Sequence, residues 1–523
     1  MFDEQCSIRV VIRAWVRVER PPTGLMNIYE GCEMAVELRS NVARGSDAVS
    51  IDFEQFRMNK DGPKTLPNNR FTSKEFMQLE YKKLWPYVWQ MVGREDEVPK
   101  VGDYMEYSIG PYTILIVRSA PNTLNALSNT CRHRGRQLRE GRGNAKELRC
   151  VAHAWRYNLD GTIKEAVDVQ EFEPELVEPP CLNLPEYRLE TFGGWIFINL
   201  DPNAVSLMDY LDPIPQWLNL DMSKWVTTRR RSTIIRCNWK LGMDAFRDAY
   251  HLQGTHPQSV LYSGGDLPVD VQGFECFGGL TAYQSNGKGR FSNHGHGHMG
   301  PPKGDMAWDL VLAPGPSARI SSASDPKADV REMIRGYLAM LVEVDDPFRL
   351  GNQDAVNAMA DKLAKAYPHG APLPELGKWW ADLRRKQYAP SGIDLSGYTD
   401  SELMIVKFGM IGPNLWVANC SVTDGNFFTF RPNGTDPDTC ILDEWMAELV
   451  PDAEAVKKKR IKPEFYPDYH ANKNWGTFLS QDLGNVMFMQ RGMHHPTQDF
   501  MRFGVKDALM IHGHASIDEY LTK

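Results

Sequence analysis

The chain has 523 residues and a formal net charge of −8, with 59 lysine and arginine side chains against 67 aspartate and glutamate side chains. This length predicts two or three domains, the acidic balance gives no case for nucleic-acid binding, and no apolar run reaches the about 18 residues of a membrane span. The acidic start does not resemble a signal peptide, and nine scattered cysteines indicate mostly free thiols, so we expect a cytoplasmic protein.

The first segment, residues 1–68, matches no pattern that we can assign and is treated as an N-terminal extension of unknown role. The next segment, 69–85, predicts an N-terminal helix. Ser73 is a suitable N-cap, and the apolar periodicity that follows predicts a helix from Lys74 to about Leu84.

Two short stretches each offer one thiol and one imidazole. They are Cys131-x-His133 and Cys150-x-x-His153, with sixteen residues between His133 and Cys150. A Rieske [2Fe-2S] centre takes two cysteines on one iron and two histidines on the other, so each short loop supplies one ligand to each iron. Two alternatives are a tetrahedral zinc site and unrelated structural residues, but the spacing favours the Rieske interpretation over zinc-finger pairing.

The sequence around these loops favours β-structure. Segments 112–117, 124–128, 148–152 and 195–199 are rich in β-branched and aromatic residues and are separated by glycines. Short antiparallel strands that present two ligand loops at one tip suit such a cluster. We therefore expect an all-β cluster-binding domain over residues 86–205.

A run of basic residues overlaps the two loops and is opposed by few acids. Its members are Arg132, Arg134, Arg136, Arg139, Arg142, Lys146, Arg149 and Arg156. In an acidic chain, such a run can be a docking patch for an acidic electron donor, because complementary charge speeds encounter. The alternative is that these arginines satisfy carbonyl groups in turns.

A second candidate metal site follows within residues 237–257. Asp248 and His251 are three residues apart, so on a helix they share a face, and His256 follows the helix end predicted by Gly254. Two histidines and a carboxylate form the facial triad of non-heme Fe(II) oxygenases. The alternative is a pair of helix-end histidines that bind no metal.

The long stretch 284–401 predicts an extra helical cap near the entrance of a pocket. Its His294, His296 and His298 alternate with glycines, so a metal site there would first have to order a flexible loop. We therefore interpret them as a pocket-edge loop.

Together these motifs resemble the large, catalytic α subunit of a Rieske non-heme iron ring-hydroxylating oxygenase, over about residues 70 to 523. The resemblance implies an α+β protein with a small all-β Rieske domain. It also implies a helix-grip (START-like) catalytic domain over 206–523, with a curved antiparallel sheet and the helical insertion at 284–401.

The resemblance also implies the role of each acidic residue. In this family the acid at the position of Asp248 bridges from an iron-binding histidine to a cluster histidine of a neighbouring subunit. A downstream aspartate is the third iron ligand, and Asp482, followed by Gln490-Arg491-Gly492, matches it best. The implied iron ligands are thus His251, His256 and Asp482. Ala154 departs from the pattern, because the family usually has glycine there.

The implied function is that of a terminal oxygenase component with a [2Fe-2S] cluster and Fe(II). It would use O2 and electrons from NAD(P)H, passed on by a ferredoxin and/or flavin reductase, to hydroxylate or dihydroxylate an aromatic or similar apolar compound, as in aromatic hydrocarbon catabolism. Monooxygenation or O- or N-demethylation is the alternative within the family. An electron-transfer or binding protein with a degenerate catalytic domain is the alternative outside it.

The family's electron path runs between subunits, so the resemblance implies a homotrimer, with or without β subunits. Position relative to the iron motif gives a set of substrate-pocket candidates, although Asp244 replaces a residue more usual in the family. They are Asp244, Phe246, Arg247, Leu252 and Phe478.

Overall fold

The computed structural model describes residues 64–178, 180–212, 214–218, 220–248, 251–255, 274–277, 280–283, 365, 381–382, 384–386, 388–404, 407–450, 452–454, 461–471, 475–504 and 507–522. The predicted N-terminal extension lies almost wholly outside these residues, as does most of the predicted cap at 284–401 with its three histidines. His256 also lies outside them.

Twenty strands are assigned within this part of the chain. They are β1 (Thr65–Pro67), β2 (Gln90–Arg94), β3 (Asp103–Ile109), β4 (Tyr112–Ala120), β5 (Thr123–Ser128), β6 (Arg142–Asn144), β7 (Leu148–Arg149), β8 (Arg156–Tyr157), β9 (Ile163–Glu165), β10 (Glu186–Phe192), β11 (Trp195–Asn199), β12 (Val226–Ile235), β13 (Phe274–Phe277), β14 (Leu280–Tyr283), β15 (Lys407–Ile411), β16 (Leu415–Cys420), β17 (Asp424–Asn433), β18 (Asp436–Glu448), β19 (Glu464–Tyr466) and β20 (Phe500–Arg502).

The α-helices of the described residues are mostly short, with two longer ones near the C-terminus. They are α1 (Asn69–Thr72), α2 (Lys74–Lys83), α3 (Pro174–Val177), α4 (Leu207–Leu211), α5 (Ile214–Leu218), α6 (Trp239–Asp244), α7 (Leu252–Thr255), α8 (Asp400–Met404), α9 (Thr477–Met493) and α10 (Ala508–Thr522).

The N-terminal helix begins where the sequence predicts it. The side chain of Ser73 accepts a hydrogen bond from the N–H of Phe76 at 3.0 Å, which caps the first turn of α2. The buried face of the helix carries Phe76 and Leu79, as its apolar spacing requires.

An antiparallel sheet of seven strands lies next to the two ligand loops, in the order β2-β11-β10-β5-β4-β3-β6. The first loop follows β5, and the second joins β7 to β8 in a separate sheet of three strands, β7-β8-β9. The strands predicted at 112–117, 124–128 and 195–199 are confirmed. The strand predicted at 148–152 is wrong beyond Arg149, because the backbone turns back at Cys150.

Strand β4 separates two hydrophobic cores, because successive side chains of a strand point to opposite faces. Leu115 and Val117 face the core that contains the two candidate cysteines. Ile114 and Ile116 belong to a larger core that also includes residues of α2, α6 and the second large sheet. The two large sheets are therefore packed together through one continuous apolar core.

The second large sheet has eight strands in the order β13-β14-β15-β16-β17-β18-β12-β19. It is antiparallel and curled, apart from the parallel pair formed by β12 and β19. Helix α6 packs closely on it, since a Cβ atom on Gly242 would lie 2.4 Å from the Phe430 ring. The α+β architecture is thus confirmed.

The helix expected through the second metal motif is not continuous. Helix α6 ends at Asp244 and α7 begins at Leu252, so Asp248 and His251 lie in the connection between them. Local turns still hold this connection, because the N–H of Asp248 donates to the carbonyl of Asp244 at 3.0 Å. Asp248 and His251 therefore remain close without sharing a regular helix.

One buried carboxylate, that of Glu97, links the first large sheet to the second. Glu97 lies 2.6 Å from the Arg142 guanidinium on β6 and accepts a hydrogen bond from the indole of Trp445 on β18 at 3.0 Å. Glu97 also lies 3.9 Å from the guanidinium of Arg230 on β12, which pairs with Asp443 on β18 at 2.8 Å within the second sheet. The position of the first sheet relative to the second is therefore fixed by charge as well as by apolar packing.

Candidate active site

The two ligand loops have the same backbone pattern. In the first, the N–H of Cys131 donates to the carbonyl of Arg136, and the N–H of Gly135 donates to the carbonyl of Cys131. In the second, the N–H of Cys150 donates to the carbonyl of Trp155, and the N–H of Ala154 donates to the carbonyl of Cys150. The donor and acceptor residues are equally far apart in the two loops. Both turns require a left-handed residue at their fourth step, supplied by Gly135 at φ 72° and by Ala154 at φ 61°.

The four predicted cluster ligands meet at the tips of these loops. The thiols of Cys131 and Cys150 are buried, and the ring centroids of His133 and His153 lie 4.4 Å apart. His133 is half-buried and stacks on Trp155 at 5.1 Å, whereas His153 is exposed. The hydrophobic side of each loop thus carries a sulfur and its tip carries an imidazole.

The environment of His133 indicates that these loops suit an iron–sulfur cluster. The Nδ1 atom of His133 is buried and has no hydrogen-bond partner among the described residues, a costly state that a metal ligand bond would relieve. Burial raises the pKa of the Cys131 thiol, so the thiolate that iron requires would form together with metal binding.

The hydroxyl of Tyr157 lies against this ligand set. It accepts a hydrogen bond from the N–H of Arg132 at 3.0 Å and lies 3.4 Å from the sulfur of Cys131. Its hydrogen can therefore point at the thiolate. Hydrogen bonds to cluster sulfurs are one of the ways in which a protein sets the reduction potential.

Two of the three predicted iron ligands are in contact. Helix α9 brings the buried carboxylate of Asp482 to 3.3 Å from Nε2 of His251. Burial lowers the pKa of His251, but the hydrogen bond and charge of Asp482, together with Asp248, outweigh burial and raise the pKa overall. Within the described ranges, no three or more His, Cys, Asp and Glu side chains lie close enough to bind one ion; His256 is outside those ranges.

Asp248 contacts the opposite side of the same imidazole. Its carboxylate accepts a hydrogen bond from the backbone N–H of His251 at 3.2 Å and lies 3.8 Å from the ring Nδ1, which also contacts the Asp248 carbonyl. A proton on Nδ1 would face these oxygens, and Nε2 would be left for a metal.

The family models match on the same two halves of the molecule. A model of the Rieske [2Fe-2S] domain matches residues 88–186, and a model of the ring hydroxylating alpha subunit (catalytic domain) matches residues 222–523. The chain belongs to the ring-hydroxylating alpha-subunit family.

Curated relatives of this alpha subunit differ in their reactions. The chain is 31% identical over 224 residues to the carnitine monooxygenase oxygenase subunit of Escherichia coli (strain K12), covering 40% of this chain and 57% of the relative. It is 33% identical over 214 residues to the benzene 1,2-dioxygenase subunit alpha of Pseudomonas putida, covering 39% of this chain and 46% of that relative. The matched region thus spans about half the length of each relative.

Solved structures share the fold of this alpha subunit. A quaternary ammonium Rieske monooxygenase in complex with an inhibitor superimposes with a TM-score of 0.54 at 17% identity, covering 87% of this chain and 95% of the other. Naphthalene 1,2-dioxygenase from Rhodococcus sp. bound to indole gives a TM-score of 0.53 at 18% identity, covering 93% and 99%. None of the described helices is long and apolar enough to cross a bilayer.

The predicted pocket residues of the alpha subunit lie in two environments. The charged groups of Asp244 and Arg247 are buried and bound by protein partners: Asp244 lies 2.9 Å from Nε2 of His514, and Arg247 donates to the carbonyl of Pro413 at 2.7 Å. Phe246 stacks on Phe428 with ring centroids 5.8 Å apart. The side chains of Leu252 and Phe478 are outside the described part of the chain.

The basic run divides into two groups. Most of its arginines bind protein partners; Arg139, for example, donates to the carbonyls of Leu138, Glu147 and Arg149. The side chains of Arg134, Lys146 and Arg149 are exposed and form no ion pair or hydrogen bond with the described residues. The turn-stabilising interpretation therefore holds for the first group only.

Two residues near the iron motif were missed by the sequence interpretation. Asn485 lies one turn after Asp482 on α9 and contacts Thr255, and its spacing from Asp482 was a usable signal. His514 contacts Asp244 from a helix 270 positions away, and no local pattern marks it.

Proposed function

We propose that this chain is a terminal oxygenase component with a [2Fe-2S] cluster and a mononuclear Fe(II). It uses O2 and electrons from NAD(P)H, delivered by a ferredoxin and/or flavin reductase, to hydroxylate or dihydroxylate an aromatic or similar apolar compound. The observation that carries this proposal is the meeting of His251 and Asp482 at 3.3 Å in a chain that also pairs the two ligand loops.

In this proposal each residue has a distinct role. Cys131 and Cys150 bind one iron of the cluster, and His133 and His153 bind the other; the cluster, when bound, stores and passes single electrons. His251, His256 and Asp482 bind Fe(II), which activates dioxygen beside the substrate when it is bound. Asp248 orients His251 through its Nδ1 and lies on the route of the electron.

We also propose that the chain works as a homotrimer, with or without β subunits, in the cytoplasm, in which the exposed imidazole of His153 faces a neighbouring copy. An electron that leaves the cluster through the exposed His153 must pass to another protein surface. The surface around Asp248 of a neighbouring copy would receive it. The solved structure of a quaternary ammonium Rieske monooxygenase gives insight into inter-subunit electron transfer, which is a property of that protein.

A monooxygenase that acts on a quaternary ammonium compound is the second candidate. Carnitine and glycine betaine monooxygenase subunits are among the relatives, at identities similar to that of the benzene dioxygenase subunit. An aromatic group such as that of Phe246 and Phe428 can contact an aromatic ring or, by cation–π attraction, a quaternary ammonium group.

A substrate panel tests these proposals. The purified chain is reduced with NADH through a surrogate ferredoxin and reductase, and products are analysed for benzene, naphthalene, carnitine and glycine betaine. A cis-diol or phenol supports the first candidate, and cleavage of the quaternary ammonium compound supports the second. A chain that holds a cluster and Fe(II) but gives no substrate-dependent O2 uptake with any compound would instead support an electron-transfer protein.

A further inference from the structure

Helix α9 contacts the iron motif at three successive points. Asp482 contacts His251 at 3.3 Å, Asn485 donates to the Thr255 hydroxyl at 2.8 Å, and Gln490 accepts from the N–H of Asn238 at 3.0 Å. These positions are three and five residues apart, so they lie on adjoining parts of one side of the helix. One helix thus runs along the motif from the cap of α6 to the end of α7.

The segment that α9 holds has little structure of its own. Helix α7 has four residues, and a helix of that length is not stable in isolation. Its internal support is the pair of hydrogen bonds from the N–H groups of Gly254 and Thr255 to the carbonyl of His251. Contacts with α9 thus hold both ends of α7, through His251 and Thr255.

We propose that Asn485 is a positioning residue of the mononuclear iron site, an inference that rests on the proposed function. Asp482 holds the His251 end of α7, and the amide of Asn485 holds the opposite end through Thr255. In the sequence, Thr255 immediately precedes His256. The pair Asn485–Thr255 therefore holds the residue next to the proposed ligand His256, although neither side chain binds the metal.

Iron affinity gives a readout that does not depend on turnover. We expect Asn485→Ala and Thr255→Val each to weaken anaerobic Fe(II) binding by about tenfold, at the lower end of what the loss of an outer hydrogen bond costs a metal site. The double variant should bind as weakly as either single variant, because both changes remove the same hydrogen bond. The visible spectrum of the cluster should not change.

Three controls make the test specific. Thr255→Ser keeps the hydroxyl and should restore affinity. Met489→Ala removes a 45% exposed side chain one turn beyond Asn485 and should leave affinity unchanged. Unchanged thermal unfolding of each variant shows that the loss is local.

Two results would contradict the proposal in different ways. Wild-type affinity in both Asn485→Ala and Thr255→Val, or losses that add fully in the double variant, would overturn the positioning role and leave the proposed function intact. A wild-type chain that holds its cluster but binds no Fe(II) would overturn the proposed function, and the positioning role with it.

Discussion

At Ala154 a side chain occupies a conformation that normally selects glycine. A left-handed residue other than glycine costs roughly 1–2 kcal/mol, and the matching position of the first loop is Gly135. The sequence identified this position as a departure from the family, but only the backbone angle shows that the departure is a strained one.

Replacing Ala154 with glycine should therefore stabilise the second loop. We expect Ala154→Gly to raise the free energy of unfolding by about 0.5–1 kcal/mol, because the relieved strain exceeds the added freedom of the unfolded chain. Chemical denaturation followed by loss of the cluster absorbance measures this change. Ala152→Gly, in the same loop at a position without a left-handed angle, should have the opposite sign; equal effects would contradict the strain argument.

Tyr157 should raise the reduction potential of the proposed cluster. Reduction adds negative charge, which a hydrogen bond from the Tyr157 hydroxyl to the Cys131 sulfur would stabilise. Loss of about 1 kcal/mol in Tyr157→Phe corresponds to a potential lower by about 40 mV. A spectroelectrochemical titration measures the shift, with Tyr112→Phe as the control; equal potentials would show that the hydroxyl does not donate to the sulfur.

Substitutions of Asp248 and Asp482 should have different effects: the first should slow electron transfer, and the second should lower the iron content. Asp248→Asn should keep cluster and Fe(II) content but slow the oxidation of the pre-reduced cluster by O2 and substrate by about 10- to 100-fold. The same change at Asp482 should instead lower iron by one per chain, because it weakens one of the three proposed protein ligands. Loss of iron in Asp248→Asn would make Asp248 a ligand and reverse these roles.

Among the elements, the ligand loops present charge that nothing in the described chain neutralises. The exposed Arg134 follows His133 in the first loop and the exposed Arg149 precedes Cys150 in the second, whereas Arg139 and Arg142 are held by carbonyls and by Glu97. If an acidic ferredoxin is the donor, it would meet the first pair.

Reversing charge at Arg134 should therefore weaken docking of an acidic ferredoxin. We expect Arg134→Glu to raise the apparent KM for the donor several-fold at low salt and to change the KM for the oxidised substrate little, with the difference fading as salt screens the charges. Steady-state kinetics at two ionic strengths measure both constants. Lys100→Glu makes the same charge change elsewhere on the surface and serves as the control. An equal rise in the KM for the donor in this variant would show that docking does not depend on a local patch.

Elements with a local signal were predicted well, and those that depend on distant contacts were not. Helix α2 and strand β11 follow from capping and composition within their own residues. The end of β7 at Arg149 and the break after Asp244 depend on turns that bring ligands into place, which periodicity does not encode. The contact of His514 with Asp244 joins residues 270 positions apart, so no spacing in the sequence marks it.

Across the whole molecule, the buried ion pairs of Asp443 and Glu97 predict sensitivity to acid. Burial alone raises the pKa of Asp443, but the charges of Arg431 and Arg230 outweigh it and hold the pKa well below the usual range. Burial likewise raises the pKa of Glu97, and Arg142 and Arg230 lower it overall. Because both pKa values are lower in the folded state, this stabilisation is present above about pH 4 and is lost as the pH falls further.

Asp443→Asn should show this dependence directly. At pH 7 the variant should lose about 3–5 kcal/mol of unfolding free energy, because Arg230 and Arg431 remain buried without their partner. The difference from wild type should narrow steadily as the pH falls below about 4, where the wild-type carboxylate contributes less. Denaturation at several pH values measures this difference in unfolding free energy, with Glu140→Gln as an exposed control. If the difference stays constant with pH, the charge of Asp443 is not its cause.

The two faces of strand β4 affect how the sequence of such a protein can evolve. Leu115 and Val117 touch the surroundings of the cluster ligands, whereas Ile114 and Ile116 touch the core shared with the catalytic sheet. Mutations that repack one side of this strand leave the other side's contacts in place. The surroundings of the cluster ligands can therefore stay unchanged while the core shared with the catalytic sheet accumulates substitutions, which allows one electron-transfer apparatus to be retained while the chemistry it drives diversifies.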